Sequence, residues 1–403
     1  MQLLGRQLEQ RDVHVEFWFC RGSNRLPEFM ETGRATLGPL SQLAPRLARG
    51  EFDVVQMTTT DPAAPLVARL AAGKARVIVT ARGALSDLWN HTNCFAYTAI
   101  SQGMADVNQS YTNVEIEVVR NAIDVERFTP PDGPAAGPPI VAFVGRTTSP
   151  EKDFPRFTRI ARRLADRGVR VWIADPHEAS WDRFADKPVE RFDVERWGRV
   201  PHADIPDFYR SVAASGGVVL MTSISEGFGN VAPEAAACGA RVAAPDAIGL
   251  REAIVDGVTG RLFAADASDD DVAGQLHAWM AAPHDMRACS DAARTAFSPA
   301  VLAELYLAIY RRREQRLLRT PAAPVVTPET PMLLELLARQ SSWRATFNRG
   351  AATDLAQAGY HRLALDALRM TYGTSGRRIL TRQALRDFVS VGRRMVVGRR
   401  APA

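Results

Sequence analysis

Two carboxylates eight positions apart, Glu226 and Glu234, bracket a loop that contains Gly227 and Gly229. The apolar run Gly217-Val218-Val219-Leu220-Met221 just before it has no polar alternation, which predicts a buried parallel strand. Pro233 suits the first position of a helix, and Gly239 suits the residue just past its end. A strand, a glycine loop and a short helix together present backbone N–H groups to a phosphate. Spacing alone carries little weight, since a surface Glu followed by one favoured by the helix dipole would look the same.

A second place for chemistry follows the apolar run Ile140–Val144. There Gly145-Arg146 and, six positions on from Arg146, Lys152 span a strand-to-helix turn. Arg outnumbers Lys 47 to 3, so Lys152 stands out beside Lys74 and Lys187. Two cations in such a turn stabilise negative charge that develops on a leaving group; the plainer alternative is a pair of solvated surface cations. No metal site is expected, because the four Cys and seven His are scattered without ligand spacing. Asp269-Asp270-Asp271 reads as a helix start, where acids suit the dipole.

The elements that position these groups alternate between strand and helix. In the first part, helix is expected over 1–11, 40–49 and 64–72, with strands over 13–19, 52–57, 76–80, 96–100 and 115–119. After Ile140–Val144, further strands are expected at 169–174, 194–200 and 241–244. This is a parallel α/β pattern. Residues 129–139 hold five Pro and two Gly, which preclude helix or central strand and read as an interdomain connector. Residues 320–331 read as a second connector.

The length allows two or three domains. With 46% hydrophobic and 24% charged residues, the composition is that of a soluble globular protein. No apolar run long enough to span a membrane is present, the charged N-terminus does not resemble a signal peptide, and the dispersed cysteines suit a reducing cytoplasm. The net charge of +5 is uneven: residues 320–403 carry +8 and the rest −3.

The stretch Ser225-Glu226-Gly227-Phe228-Gly229 with Glu234, Ala235, Ala237 and Gly239 resembles the E-x7-E signature of retaining GT-B glycosyltransferases of family 4. Gly145-Arg146 with Glu151-Lys152 matches the family's Gly-Arg and Glu-Lys pairs. Residues 118–128 resemble a segment that closes the family's first domain, with Ala122 where Gly is usual. Residues 194–200 resemble a strand whose following loop lies by the nucleotide base. The resemblance implies two Rossmann-like domains facing across a cleft, over 1–133 and 138–319, with a return helix near 296–311. It implies a metal-independent, retaining transfer of sugar from a nucleoside-diphosphate donor to an unidentified hydroxyl acceptor, with no cofactor. By the same resemblance Arg146 and Lys152 neutralise the diphosphate, Glu226 meets the donor sugar, and Glu234 meets the ribose hydroxyls. Gly145, Gly227, Phe228, Gly229 and Asn230 line the donor site, with Arg199 and Val200 near the base.

Two departures stand out. The family opens with a strand and a glycine loop, and this sequence opens in what resembles the following helix; a misplaced translation start or a trimmed first domain would explain it. Arg82 stands where the family often has His facing the donor sugar, with His91 farther on. Either Arg82 binds an acidic group through its planar fork or it is a strand-end surface residue. A GT-B sugar-nucleotide epimerase, or a non-catalytic partner subunit, remains an alternative at this point.

The resemblance does not cover residues 320–403, which read as a basic helical extension. Leu380, Ala384, Phe388, Val391 and Met395 fall within roughly an 80° arc, opposite Arg378, Arg382, Arg386 and Arg393. Such a helix over 375–400 would lie on an anionic membrane surface or bind a partner protein, or pack on its own domain. Nucleic acid is not expected, since aromatics do not interleave the arginines. The resulting expectation is a cytoplasmic enzyme, peripheral on the inner membrane face.

Overall fold

The structure is a computed structural model that describes residues 1–20, 26–58, 63–83, 94–109, 112–176, 193–317 and 348–372. The chain forms two compact units. One holds residues 1–100, 104–119 and those from Tyr306 onward; the other holds 101–103 and 120–305.

In the first unit, strands β1 (Phe17–Phe19) and β2 (Ala35–Leu37) pair in parallel as a small sheet. Strands β3 (Val54–Thr58), β4 (Arg76–Ala81), β5 (Ala96–Ala99) and β6 (Ile116–Val118) form a separate parallel sheet in that order. The strand expected over 13–19 shortens to its last three residues. Among the described residues β1 bonds only to β2, and β3 only to β4. The helix Pro299–Arg311 enters this unit at Tyr306. There the Tyr306 hydroxyl meets the hydroxyls of Thr80 and Thr98 at 3.2 and 3.3 Å, and Tyr310 donates to Gln56. Arg312 follows, gripping Glu117 through two bonds of 2.8 and 2.5 Å.

The second unit is one six-stranded parallel sheet: β7 (Ile140–Val144), β8 (Arg170–Ala174), β9 (Val194–Gly198), β10 (Val218–Leu220), β11 (Arg241–Pro245) and β12 (Arg261–Phe263). Its spatial order is β9-β8-β7-β10-β11-β12. The core packs Val141, Phe143, Val171, Ile173, Val218 and Leu220 against helix Phe154–Ala165. That helix places Phe154, Phe157, Ile160, Ala161 and Leu164 on one stripe at helical spacing, and all five are buried. Each large apolar side chain so buried contributes about 1.5–3 kcal/mol. Asp153 caps the helix by accepting from the Arg156 N–H at 3.3 Å. The acids at 269–271 do open a helix, Asp269–Ala281. Ser268 caps it, accepting from the Asp271 N–H at 3.1 Å.

The Pro-rich stretch 129–139 lies wholly inside the second unit; the chain changes units at Val119/Arg120. Proline denies it helix and strand without keeping it from packing. Phe128 just before it is buried against Tyr209, and the Ala135 N–H donates to the Ala214 carbonyl at 2.7 Å.

In the C-terminal region, helix 348–357 and helix His361–Tyr372 belong to the first unit. Asp354 accepts from both the backbone N–H and the hydroxyl of Ser41, at 3.0 and 2.7 Å, and Leu355, Ala364 and Leu368 are buried. These helices pack on their own unit. The second connector and the amphipathic pattern over 375–400 lie outside the described residues. No helix among the described residues is long and apolar enough to cross a membrane.

Candidate functional site

Counted from its own first strand, the second unit's sheet runs 3-2-1-4-5-6, with β7 as strand 1 and β10 as strand 4. In such a sheet the crossovers turn opposite ways on either side of the 1–4 boundary, which leaves a crevice beyond the carboxyl ends of those two strands. The loops after β7 and β10 carry the cations and the acids.

After β7, Gly145 has φ +153, and a Cβ there would stand 3.5 Å from Lys152 Cε, so the lysine stem lies over the glycine. A single 3-10 turn, Pro150–Lys152, leads to Asp153, which takes the left-handed φ of +41. After β10, Thr222 Oγ1 bonds the carbonyls of Lys152 and Asp153 at 2.9 and 3.1 Å, and the Ile224 N–H donates to the Glu151 carbonyl at 2.8 Å. The two loops are thus stitched together through their backbones. The stitching brings Lys152 Nζ to 2.5 Å from Glu226 Oε1, and Ser223 Oγ donates to the same oxygen at 2.8 Å. The two charged side chains are only 15% and 14% exposed, so solvent screens the pair less than a surface ion pair.

Glu226 is held from a third side. Its N–H donates to the Ile248 carbonyl at 3.0 Å. Gly249 follows with φ +80, and a Cβ there would meet the Glu226 carbonyl oxygen at 2.2 Å. Only glycine fits there.

Arg146 pairs with Glu151 at 3.0 Å and stays half exposed, while Glu151 is mostly buried. The Gly227 carbonyl accepts from the buried Ser101 hydroxyl at 2.8 Å. Phe228 is a core residue, its ring edge-on to Phe297 at 5.8 Å. Among the described residues, the N–H groups of Gly227, Phe228 and Gly229 donate to no acceptor. Gly229 has φ +85, with Glu226 Cγ 3.6 Å from where its Cβ would be. Asn230 accepts from the Asn121 side chain at 2.9 Å.

Glu234 lies in helix Val231–Ala237, which starts two residues ahead of Pro233. The proline is therefore the third helical residue and not the first; the N–H there also has no intrahelical acceptor, so nothing is lost. Glu234 sits beside the enclosed Tyr209 hydroxyl, whose ionisation burial, and then the Glu234 charge, push well above the ordinary tyrosine value.

Arg199 and Val200 follow β9, the edge strand, with β8 between it and β7. At about 4.8 Å per strand, they are roughly 10 Å across the sheet from the Lys152 loop; Arg199 is exposed and Val200 half-buried. Arg82 is exposed, just past β4 in the first unit. His91 lies outside the described residues.

Of the expected site residues, Lys152 and Glu226 meet directly, with Gly145 beneath the lysine and Gly229 against the glutamate. Sequence reasoning missed the supports: Thr222, Ser223, the Glu151 carboxylate that holds Arg146, and Gly249. The one available signal was the Thr-Ser pair directly after an apolar strand.

Residues 138–281 match the family described as "Glycosyl transferases group 1". Over 212 residues the chain is 37% identical to the D-inositol 3-phosphate glycosyltransferase of Mycolicibacterium paratuberculosis, covering 49% of this chain and 47% of that one. The chain spans about half the length of the curated relatives it matches. A glycosyltransferase from Rickettsia africae superposes with a TM-score of 0.63 at 16% identity, over 77% of this chain and 93% of that one. HepE from Anabaena, solved in complex with UDP and glucose, gives a TM-score of 0.58 at 18% identity, over 76% and 93%. The shared fold is GT-B. The segment 138–281, which carries Arg146, Lys152, Glu226 and Glu234, is the part of the chain that matches the glycosyl transferases group 1 family.

Proposed function

We propose that the chain is a glycosyltransferase that takes its sugar from a nucleoside-diphosphate donor and passes it, with retention, to a hydroxyl acceptor. The observation that supports this best is the Lys152–Glu226 pair at the carboxyl ends of β7 and β10. There a cation and an acid, both largely enclosed, flank a glycine loop with unbonded N–H groups. A diphosphate fits the cationic side and a sugar hydroxyl the acidic side.

In this reading the bond between the anomeric carbon and the diphosphate oxygen breaks, and its electron pair goes to that oxygen. Lys152 and Arg146 stabilise the charge that develops there. The acceptor hydroxyl attacks on the face the diphosphate leaves, and its proton passes to the departing phosphate oxygen. Glu226 accepts a hydrogen bond from the donor sugar, and Glu234 from the ribose hydroxyls. No resident cofactor is required.

The relatives support a nucleotide donor: HepE was solved with UDP and glucose. The donor base follows from which nucleotide the folded chain binds. A thermal-shift panel of UDP, GDP, ADP and their glucose conjugates tests it, because a ligand that binds only the folded state raises the midpoint. One base is expected to raise the midpoint, and Lys152→Ala to abolish most of the rise. No rise with any nucleotide, or a rise indifferent to Lys152→Ala, defeats the proposal.

A further inference from the structure

A cavity of about 370 Å³ opens in the second unit at the amino ends of β11 and β12. Because the strands are parallel, this is the opposite end of the sheet from Lys152 and Glu226, neither of which lines it. Its volume is within the range of small-molecule sites, roughly 300–1,000 Å³.

The walls are cationic and aromatic. Arg241, the first residue of β11, is 2% exposed. Its Nη1 donates to the Gly216 carbonyl at 2.8 Å and its Nη2 to the Ala282 carbonyl, while its Nε is enclosed without a partner. No carboxylate pairs with Arg241 among the described residues. Arg261, the first residue of β12, is exposed and lies over the Trp279 ring, 4.7 Å from its centroid; the Arg241 guanidinium approaches the same ring at 5.8 Å. The one acid in the wall is Asp285, whose Oδ1 already accepts two backbone N–H groups, from Arg287 and Ala288, both at 3.0 Å. The two other titratable groups there are neutral near pH 7. Burial lowers the pKa of His284, whose Nε2 bonds the Gly239 carbonyl at 2.8 Å, and burial pushes the Cys289 thiol up to about 12.

An enclosed guanidinium without a counter-charge is costly, and a second guanidinium against the same indole adds repulsion. An anion between them relieves both. We propose that this cavity binds a small oxyanion-bearing molecule, its charged group against Arg261 with Arg241 behind, and its body on the Trp279 ring. The site is separate from the donor site and does not depend on what that site binds.

The test uses the full chain and inorganic phosphate at constant ionic strength, read by thermal midpoint and tryptophan fluorescence. Lys152→Ala serves as the background, so that phosphate at the donor site does not contribute. A saturable phosphate response is expected there, and adding Arg261→Gln is expected to weaken it at least tenfold, since the charge-assisted bonds are lost. Arg261 is the variant of choice because its exposure spares the fold, which its midpoint without phosphate verifies. No saturable response in the Lys152→Ala background, or a response that Arg261→Gln leaves unchanged, overturns the proposal; a purely structural role for Arg241 then suffices.

Discussion

Glu226 and a bound diphosphate would compete for the same ammonium group, and this competition gives opposite signs to two substitutions at one ion pair. Lys152→Ala removes charge-assisted bonds to phosphate, which are each worth about 1.5–3 kcal/mol. It also leaves the Glu226 carboxylate, 14% exposed, facing the site without its cation. The sum is about 3 kcal/mol, or roughly a hundredfold and more in affinity. Glu226→Gln does the reverse: the amide keeps the shape, removes the negative charge and releases Lys152. A phosphate charge about 5 Å from that carboxylate is repelled by roughly 3 kcal/mol at an effective dielectric near 20. Solvent at the open side takes part of this, leaving about 1.4 kcal/mol, a tenfold gain. Calorimetric titration with the nucleoside diphosphate that the panel selects would read both. The expected result is tighter diphosphate binding by Glu226→Gln, with turnover of the sugar conjugate strongly reduced, and weak binding by Lys152→Ala. If Glu226→Gln weakens the diphosphate as much as Lys152→Ala does, Glu226 holds the lysine in place and does not compete for it, and the role given to the pair is wrong.

Three further outcomes follow from the packing around the site and the sheet. Gly249→Ala puts a methyl 2.2 Å from the Glu226 carbonyl oxygen at a φ of +80, so it should cost at least about 3 kcal/mol of stability and disable donor hydrolysis; a urea midpoint within error of the parent's contradicts that. His284 has its pKa lowered from 6.5, chiefly by burial. The unfolded state therefore binds the extra proton first, and stability falls as the pH drops below about 6.5 towards the lower folded value. His284→Gln should flatten that part of the curve in denaturation series between pH 7.5 and 5, and an unchanged slope would count against it. Burial pushes the Cys94 thiol up to about 11 and those of Cys238 and Cys289 to about 12, which leaves half-buried Cys20. A thiol reagent should modify about one group per folded chain at pH 8 and all four after denaturation; rapid loss of three or four from the native protein refutes this.

The strands and helices with marked periodicity were legible from the residues alone. Leu40–Arg49, Ile140–Val144 and the helix opened by Asp269 stand where apolar spacing and acids put them. The three-residue strands β2 (Ala-Thr-Leu) and β12 (Arg-Leu-Phe) were not, since neither shows the continuous apolar run that marks β10. The Pro-rich stretch 129–139 misled in another way: backbone chemistry predicts what such a segment cannot form, whereas its place in a domain depends on what Phe128 and Ala135 touch.

The site divides along the same line. Each loop announced itself separately, through Gly145-Arg146 and Glu151-Lys152 in one case and Ser225–Gly229 in the other. Their sharing one site was implied by the family resemblance and by no local pattern, because Lys152 and Glu226 are 74 positions apart and spacing does not encode which strand ends become neighbours. Sheet order decides it: β7 and β10 are adjacent only because the chain lays down β8 and β9 on one side, then returns to start the other. Once those two strands are neighbours, Thr222 and Ile224 need only reach backbone atoms of residues 151–153 to set the register of the loops. Backbone acceptors do not depend on the identity of the side chains there. A Thr222→Val substitution therefore tests the link between register and chemistry: it removes the hydroxyl and keeps the volume, so it should loosen the Lys152 loop by about 1 kcal/mol. Diphosphate affinity should fall severalfold although residue 222 touches no ligand. An affinity equal to the parent's would mean that Lys152 is positioned by its pairing with Glu226 alone.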